Sequence, residues 1–181
     1  MNLDKKIEDF FNFLNRRTIE TIENSDVKES CTATLLLLFA AVDSLSKVTC
    51  DDSKYTAFLN KRGNRERFEH YLQDVFGGGY GRLKEQLYAL RNDIVHTGIN
   101  TKVVLTKRPA DRHLEEVDGY LWVNTAKFLD DLKQTVQRIK ADIEANGQYG
   151  RNATNRLAEL NIIEVDEDPM PSPGPDESPF Q

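Results

Sequence analysis

The sequence predicts a predominantly all-α domain: a helical bundle carrying a small edge β-hairpin near 102–123 and followed by a disordered C-terminal tail. Three observations carry that reading. Apolar residues recur at three- and four-residue spacing in five separate segments, the period of a helix with one buried face. The period is lost only where Lys102-Val103-Val104-Leu105-Thr106 and Tyr120-Leu121-Trp122-Val123 bring β-branched and aromatic residues together, as short strands do. From 166 onward the composition changes altogether, with prolines at 169, 171, 173, 175 and 179, five acidic residues and no Lys or Arg.

Residues 3–23 form the first expected helix, with Ile7, Phe10, Phe11, Leu14, Thr18 and Ile22 along one face, and Asn24-Ser25-Asp26 ends it. Residues 28–48 form a second. Its Leu35–Val42 stretch is apolar on all sides, which places it at the centre of a bundle. Asp51-Asp52-Ser53 closes it and caps a short helix over 54–60. A helix over 64–76 turns Phe68, Leu72, Val75 and Phe76 inward. Gly77-Gly78-Gly79-Tyr80-Gly81 interrupts the chain and lacks the Gly-Lys-Ser/Thr of a phosphate-binding P-loop. The next helix spans about 82–96, with Leu83, Leu87, Leu90 and Ile94 facing the core. The two strands then pair as a hairpin across a polar loop containing Pro109. Asn124 or Thr125 caps a long helix to about Ala145, whose stripe is Phe128, Leu129, Leu132, Val136, Ile139 and Ile143. Gly147 and Gly150 punctuate, and a last helix over 152–160 and the short apolar piece Ile162-Ile163 follow. Residues 1–165 thus read as one helical domain. Residues 166–181 read as an acidic, proline-rich tail unable to bury enough apolar surface to offset ordering.

Charge and composition narrow the function classes. The net charge is −6, but five of the 30 acidic residues lie in 166–181, so the first 165 residues carry 25 acids against 24 bases. The acidity therefore does not exclude nucleic-acid binding by the body. The first nine residues lack the apolar core of a secretion signal. The longest apolar run, Leu35 to Val42, falls well short of the roughly 20 residues of a membrane span. Cys31 and Cys50 form no metal motif, and a helix between them separates them by roughly 28 Å, too far for a disulfide. A cytoplasmic protein without metal or organic cofactor is expected.

The residues with most chemical content are Arg91-Asn92-Asp93-Ile94-Val95-His96. Arginine holds phosphate through two hydrogen bonds, and histidine moves protons near neutral pH. Together they suffice for metal-free RNA cleavage, in which the 2′-hydroxyl attacks its own phosphate. Arg91 and His96 are five apart, about 140° around a helix, so they do not share a face. Tyr88, Asn92 and His96 do, which places Asn92 to orient the imidazole or contact phosphate.

The decapeptide Leu87-Tyr88-Ala89-Leu90-Arg91-Asn92-Asp93-Ile94-Val95-His96 resembles the signature of HEPN domains: an arginine, a polar residue, a few more residues and a histidine at the end of a helix. The likeness in layout extends over roughly 5–146. The resemblance implies a helical bundle that forms a homodimer, the two motifs facing each other as one composite, metal-independent ribonuclease site. It implies single-stranded RNA as substrate, a setting in toxin–antitoxin or anti-phage defence, and a cognate antitoxin or regulatory protein as partner. Some members bind without cutting. The subgroup paired with nucleotidyltransferase antitoxins has a tyrosine two residues after the histidine, where this chain has Gly98.

On this reading Arg91 and His96 are catalytic, with Asn92 beside them. Tyr88, Asp93, Lys61, Arg62 and Arg65 are candidates for substrate contact: Tyr88 could stack on a base or sit at a dimer interface, and Asp93 could tune His96, pair with Arg91 or be solvated. Lys61, Arg62, Arg65 and Arg67 could follow a phosphate backbone or, with Glu66 and Glu69 between them, be a solvated helix start. Lys102, Lys107, Arg108, Arg112 and His113 form a second basic group, and His70 and His113 read as structural or solvated. The tail reading has a direct test. Deleting 166–181 is expected to change the unfolding free energy by less than about 0.5 kcal/mol, the usual range for changes away from packed features. A large fall in melting temperature would show that the tail docks on the body.

Overall fold

In the computed structural model, α3 (Cys31–Thr49) is the helix around which the others pack. Leu35, Leu38, Phe39, Val42 and Leu45 are at most 1% exposed. Among the described residues only α3 is long and apolar enough to cross a membrane, and about half of that stretch is buried within the bundle. It is the central helix that its all-round apolar run predicts. Ser30 starts it by accepting the Ala33 N–H at 3.2 Å, and neither of the cysteines at its two ends is in a disulfide. The structure describes residues 3–50, 61–97 and 102–159. The expected short helix over 54–60, Ile162-Ile163 and the tail lie outside them.

The N-terminal helix is continuous through three segments: α1 (Leu3–Leu14), a π-helical stretch (Asn15–Glu20) and α2 (Thr21–Asn24). It buries Phe11, Leu14, Thr18 and Ile22 as the period demands. A 3-10 turn (Asp26–Glu29), capped by the Ser25 hydroxyl, occupies the first turn expected of the second helix. Further on come α4 (Lys61–Tyr71), a π turn (Leu72–Phe76) and a single turn, α5 (Gly78–Arg82), where a plain break was expected. Helix α6 (Lys84–Thr97) presents Leu87, Leu90 and Ile94 to the core, with Leu83 just before it.

The sheet differs from the expected hairpin. Strands β1 (Val103–Thr106) and β3 (Tyr120–Asn124) do pair, but in parallel, with Val103 opposite Leu121. The antiparallel partner of β3 is a third strand, β2 (Glu115–Val117), and the order is β1-β3-β2. The hairpin therefore lies between β2 and β3, turning at Asp118 and Gly119 with φ of 53° and 78°. Two consecutive positive φ values are the demand of a tight primed turn, and Asp-Gly is its sequence signal. Glu115-Glu116 made this segment read as a polar loop.

Helix α7 (Thr125–Glu144) is capped by Asn124, whose Oδ1 accepts the N–H groups of Ala126 and Lys127 at 3.1 and 3.2 Å. Thr125 instead donates to the Thr106 carbonyl. Helix α8 (Gln148–Glu159) begins four residues before the expected start, because the Asp142 carboxylate on α7 accepts the N–H groups of Tyr149 and Gly150 at 2.8 and 3.2 Å. A Cβ at Gly147 would lie 2.0 Å from Asp142 Oδ1, so the glycine permits the helix pair to close rather than marking a gap.

Tyr80 ties α5, the sheet and α7 together. Its buried ring packs on Phe76 and Phe128 at 4.9 and 5.0 Å. Its hydroxyl donates to Asp131 Oδ2 at 2.8 Å and lies 3.0 Å from His113 Nε2. His113 Nδ1 accepts the Asn124 N–H at 3.1 Å, so in the neutral ring the proton is on Nε2, facing Tyr80. Burial works against the Asp131 carboxylate, but hydrogen bonds from His113 and Tyr80 outweigh it and hold the carboxyl below its usual range. A group depressed in the folded state contributes stability above its unfolded value, about pH 3.9, and loses it as pH falls through the folded value. The stability difference between wild type and Asp131→Asn in urea titrations is therefore expected to be largest near pH 6 and to shrink toward pH 3. A difference independent of pH would contradict this.

Candidate functional site

Docking of the Leu87–Leu90–Ile94 stripe fixes how the end of α6 meets the body. Arg91, Asn92 and Asp93 become half-buried, while Val95, at 52%, and His96 stay exposed. Arg91 reaches back to α3, donating from Nε and Nη2 to Asp43 Oδ2 at 3.2 and 2.7 Å. Its Nη1 donates to Asn92 Oδ1 at 2.9 Å. Three of the five guanidinium N–H groups are thus committed, and the side chain remains 28% exposed. Asp43 was absent from the expected site. Its signal is a single carboxylate directly after the apolar run of the central helix, where an unpaired charge is costly and a cation must meet it.

A second cation stands behind the first. Arg67 on α4 is 2% exposed and donates to Ser46 Oγ at 3.1 Å and Asn64 Oδ1 at 2.9 Å. Burial lowers its pKa, the Asp43 charge raises it and the Arg91 charge lowers it. Asp43 therefore serves two guanidiniums, one bound directly and one through its field. Of the expected basic cluster, Arg67 is a core residue and neither follows solvent nor offers itself to phosphate. The side chains of Lys61 and Arg62 lie outside the described residues.

Arg65 is 52% exposed and hydrogen-bonds Glu69 at 2.5 Å, which raises its pKa, with Glu85 at 3.8 Å. Its guanidinium carbon lies 5.7 Å from the centre of the Tyr88 ring, and that of Arg91 lies 6.0 Å from the same ring. Tyr88 packs on Phe68 at 5.6 Å and so links these two cations to the core. Asn92 Oδ1 engages Arg91, on the opposite side of the expected pairing with the imidazole. His96 makes no hydrogen bond or ion pair among the described residues, so its ring is open to solvent and to a partner. No three His, Cys, Asp or Glu residues come together at metal-ligand distances among the described residues.

The arrangement offers an anchored guanidinium with two N–H groups to spare and a solvent-facing imidazole, about 7.5 Å further along the same helix. The Asp43 anchor has a test. Removing the carboxylate leaves Arg91 without its partner and takes away the negative charge that favours the buried Arg67 cation, whereas removing Arg91 leaves that charge in place. Asp43→Ala is expected to cost about 1.5–3 kcal/mol in urea unfolding, the usual worth of hydrogen bonds to a charged group, and Arg91→Ala clearly less. An equal or larger loss in Arg91→Ala would contradict the shared-carboxylate account.

No family model, curated protein or solved structure matches the chain. Its functional reading rests on the chemistry of α6 and of the residues that hold it.

Proposed function

We propose that the protein is a HEPN-type, metal-independent endoribonuclease acting on single-stranded RNA in the cytoplasm, as a toxin or anti-phage effector with a cognate antitoxin or regulatory protein. The observation that carries the reading is the pairing of a tethered Arg91 with an exposed, uncommitted His96 on the helix end whose decapeptide resembles the HEPN signature. In this reading the free N–H groups of Arg91 hold the scissile phosphate and its developing charge. His96 takes the 2′-hydroxyl proton as the oxygen attacks phosphorus, or returns a proton to the departing 5′-oxygen. The products are a 2′,3′-cyclic phosphate and a 5′-hydroxyl. Asn92 steadies Arg91, and Tyr88 and Arg65 extend the surface toward a neighbouring nucleotide.

Because Arg91 and His96 project about 140° apart on α6, one copy supplies a sparse site and two facing copies a fuller one. The exposed Val95 beside His96 supports a two-fold contact through this helix end, in which the same patch serves both chains. Light scattering at high micromolar concentration is expected to give a dimer. A strict monomer, with RNA as without, would remove the composite site.

A second reading is favoured by the Asp43 contact: Arg91 serves structure, and the domain is a non-catalytic HEPN-like subunit that binds RNA or a nucleotide. Cleavage separates the two. Purified wild type is expected to cut single-stranded RNA in EDTA, and His96→Ala to lose about 10²–10⁴-fold, the usual contribution of general acid–base help. Arg91→Lys should recover little, because a point charge does not reproduce the planar fork. Activity abolished by EDTA, or undiminished in His96→Ala, would exclude the ribonuclease and leave the binding subunit.

A further inference from the structure

A cleft of about 610 Å³ opens between the glycine segment at 77–79, the residues leading into β2, and α7. It lies near the start of α6, about 20 Å along that helix from His96. Its volume falls in the range of small-molecule sites, about 300–1,000 Å³. Its floor is main chain: a Cβ at Gly77 or Gly78 would meet nothing within 4 Å.

The charges in the cleft are unevenly committed. Asp131 already receives Tyr80 at 2.8 Å, and Glu115 lies 3.9 Å from Arg112. Arg82 and Arg138 have no carboxylate partner among the described residues. Each is pinned by one N–H to a main-chain carbonyl, Arg82 to Leu114 at 2.9 Å and Arg138 to Val75. A guanidinium held this way has lost part of its rotamer freedom before any ligand arrives, which lowers the cost of binding. Two unneutralised cations match a phosphate dianion better than a single carboxylate. Phe76, His113 and Asp131 also line the cleft; Asp131 remains 40% exposed and can accept from a hydroxyl or amino group.

We infer that this cleft is a binding site for a nucleoside monophosphate, the phosphate held by Arg82 and Arg138 and the polar edge of the nucleoside by Asp131. The site does not rest on the ribonuclease reading and uses none of its residues.

Isothermal titration of the full chain with adenosine 5′-monophosphate, inorganic phosphate and adenosine tests this. The monophosphate is expected to bind with Kd under about 1 mM (about −4.1 kcal/mol), more tightly than phosphate or adenosine alone. Arg138→Gln and Asp131→Asn should each weaken it at least tenfold while circular dichroism shows the fold retained; Arg138 is exposed, so its substitution separates loss of the site from the stability loss expected of Asp131→Asn. His96→Ala should leave it unchanged. No binding of the monophosphate at millimolar concentration overturns the proposal. So does binding that survives both α7 substitutions, or that disappears in His96→Ala, which would put the nucleotide at the other end of α6.

Discussion

The Asp43 carboxylate is the constraint on which the end of α6 depends. It sits on the central helix one position beyond an eight-residue apolar run, in a place where an isolated charge is costly. Arg91 reaches it from α6 by direct hydrogen bonds, and Arg67 on α4 bonds Ser46 about one turn further along the same central helix. The three helices are thereby held in one relative setting at the point where α6 leaves the core. What α6 then presents follows from that setting. Arg91 is turned back toward α3, Asn92 is drawn with it, and His96 is left outward.

The same constraint bears on chemistry. A guanidinium tethered to a carboxylate is oriented, and its positive potential is partly offset, so a phosphate must compete with or share Asp43. The fixed geometry reduces the entropy lost on binding, while the neighbouring negative charge reduces the attraction. In the proposed function, which of these prevails decides between a cutting site and a surface that only holds RNA. Tyr88, with a cation toward it from Arg65 and another from Arg91, extends the positive surface over an aromatic ring without adding a buried charge.

Much of the fold is legible in the sequence because it follows from apolar period. The buried stripes of α1, α6 and α7 fall on residues that the period selects, and α3 is central as its all-round apolar run predicts. The departures have local causes. The parallel pairing of β1 with β3 depends on β2 forming an outer edge, and Glu115-Glu116-Val117 is too short and too acidic to read as a strand. The start of α8 depends on a side chain, Asp142, that caps it from the preceding helix, which no local pattern displays. The candidate site divides in the same way. Arg91 and His96 stand out by residue type and spacing within one helix. Asp43 and Arg67 act through contacts 48 and 21 residues distant in sequence, and only the packing of α3, α4 and α6 brings them together. The cleft near Tyr80 was hidden for a related reason, since its residues come from three segments, and the glycines that form its floor carry no side chain to read.

The central claim is that Arg91 and His96 meet RNA at one surface. The most direct measurement is a solution NMR titration with a 2′-O-methyl oligonucleotide, which binds but has no attacking hydroxyl, following the Arg91 Nε–H and the His96 ring signals. The account predicts that both shift together along one saturation curve while the signals of buried Arg67 stay in place. Saturable binding that moves neither signal, or moves Arg91 alone while His96 is unaffected, would contradict it.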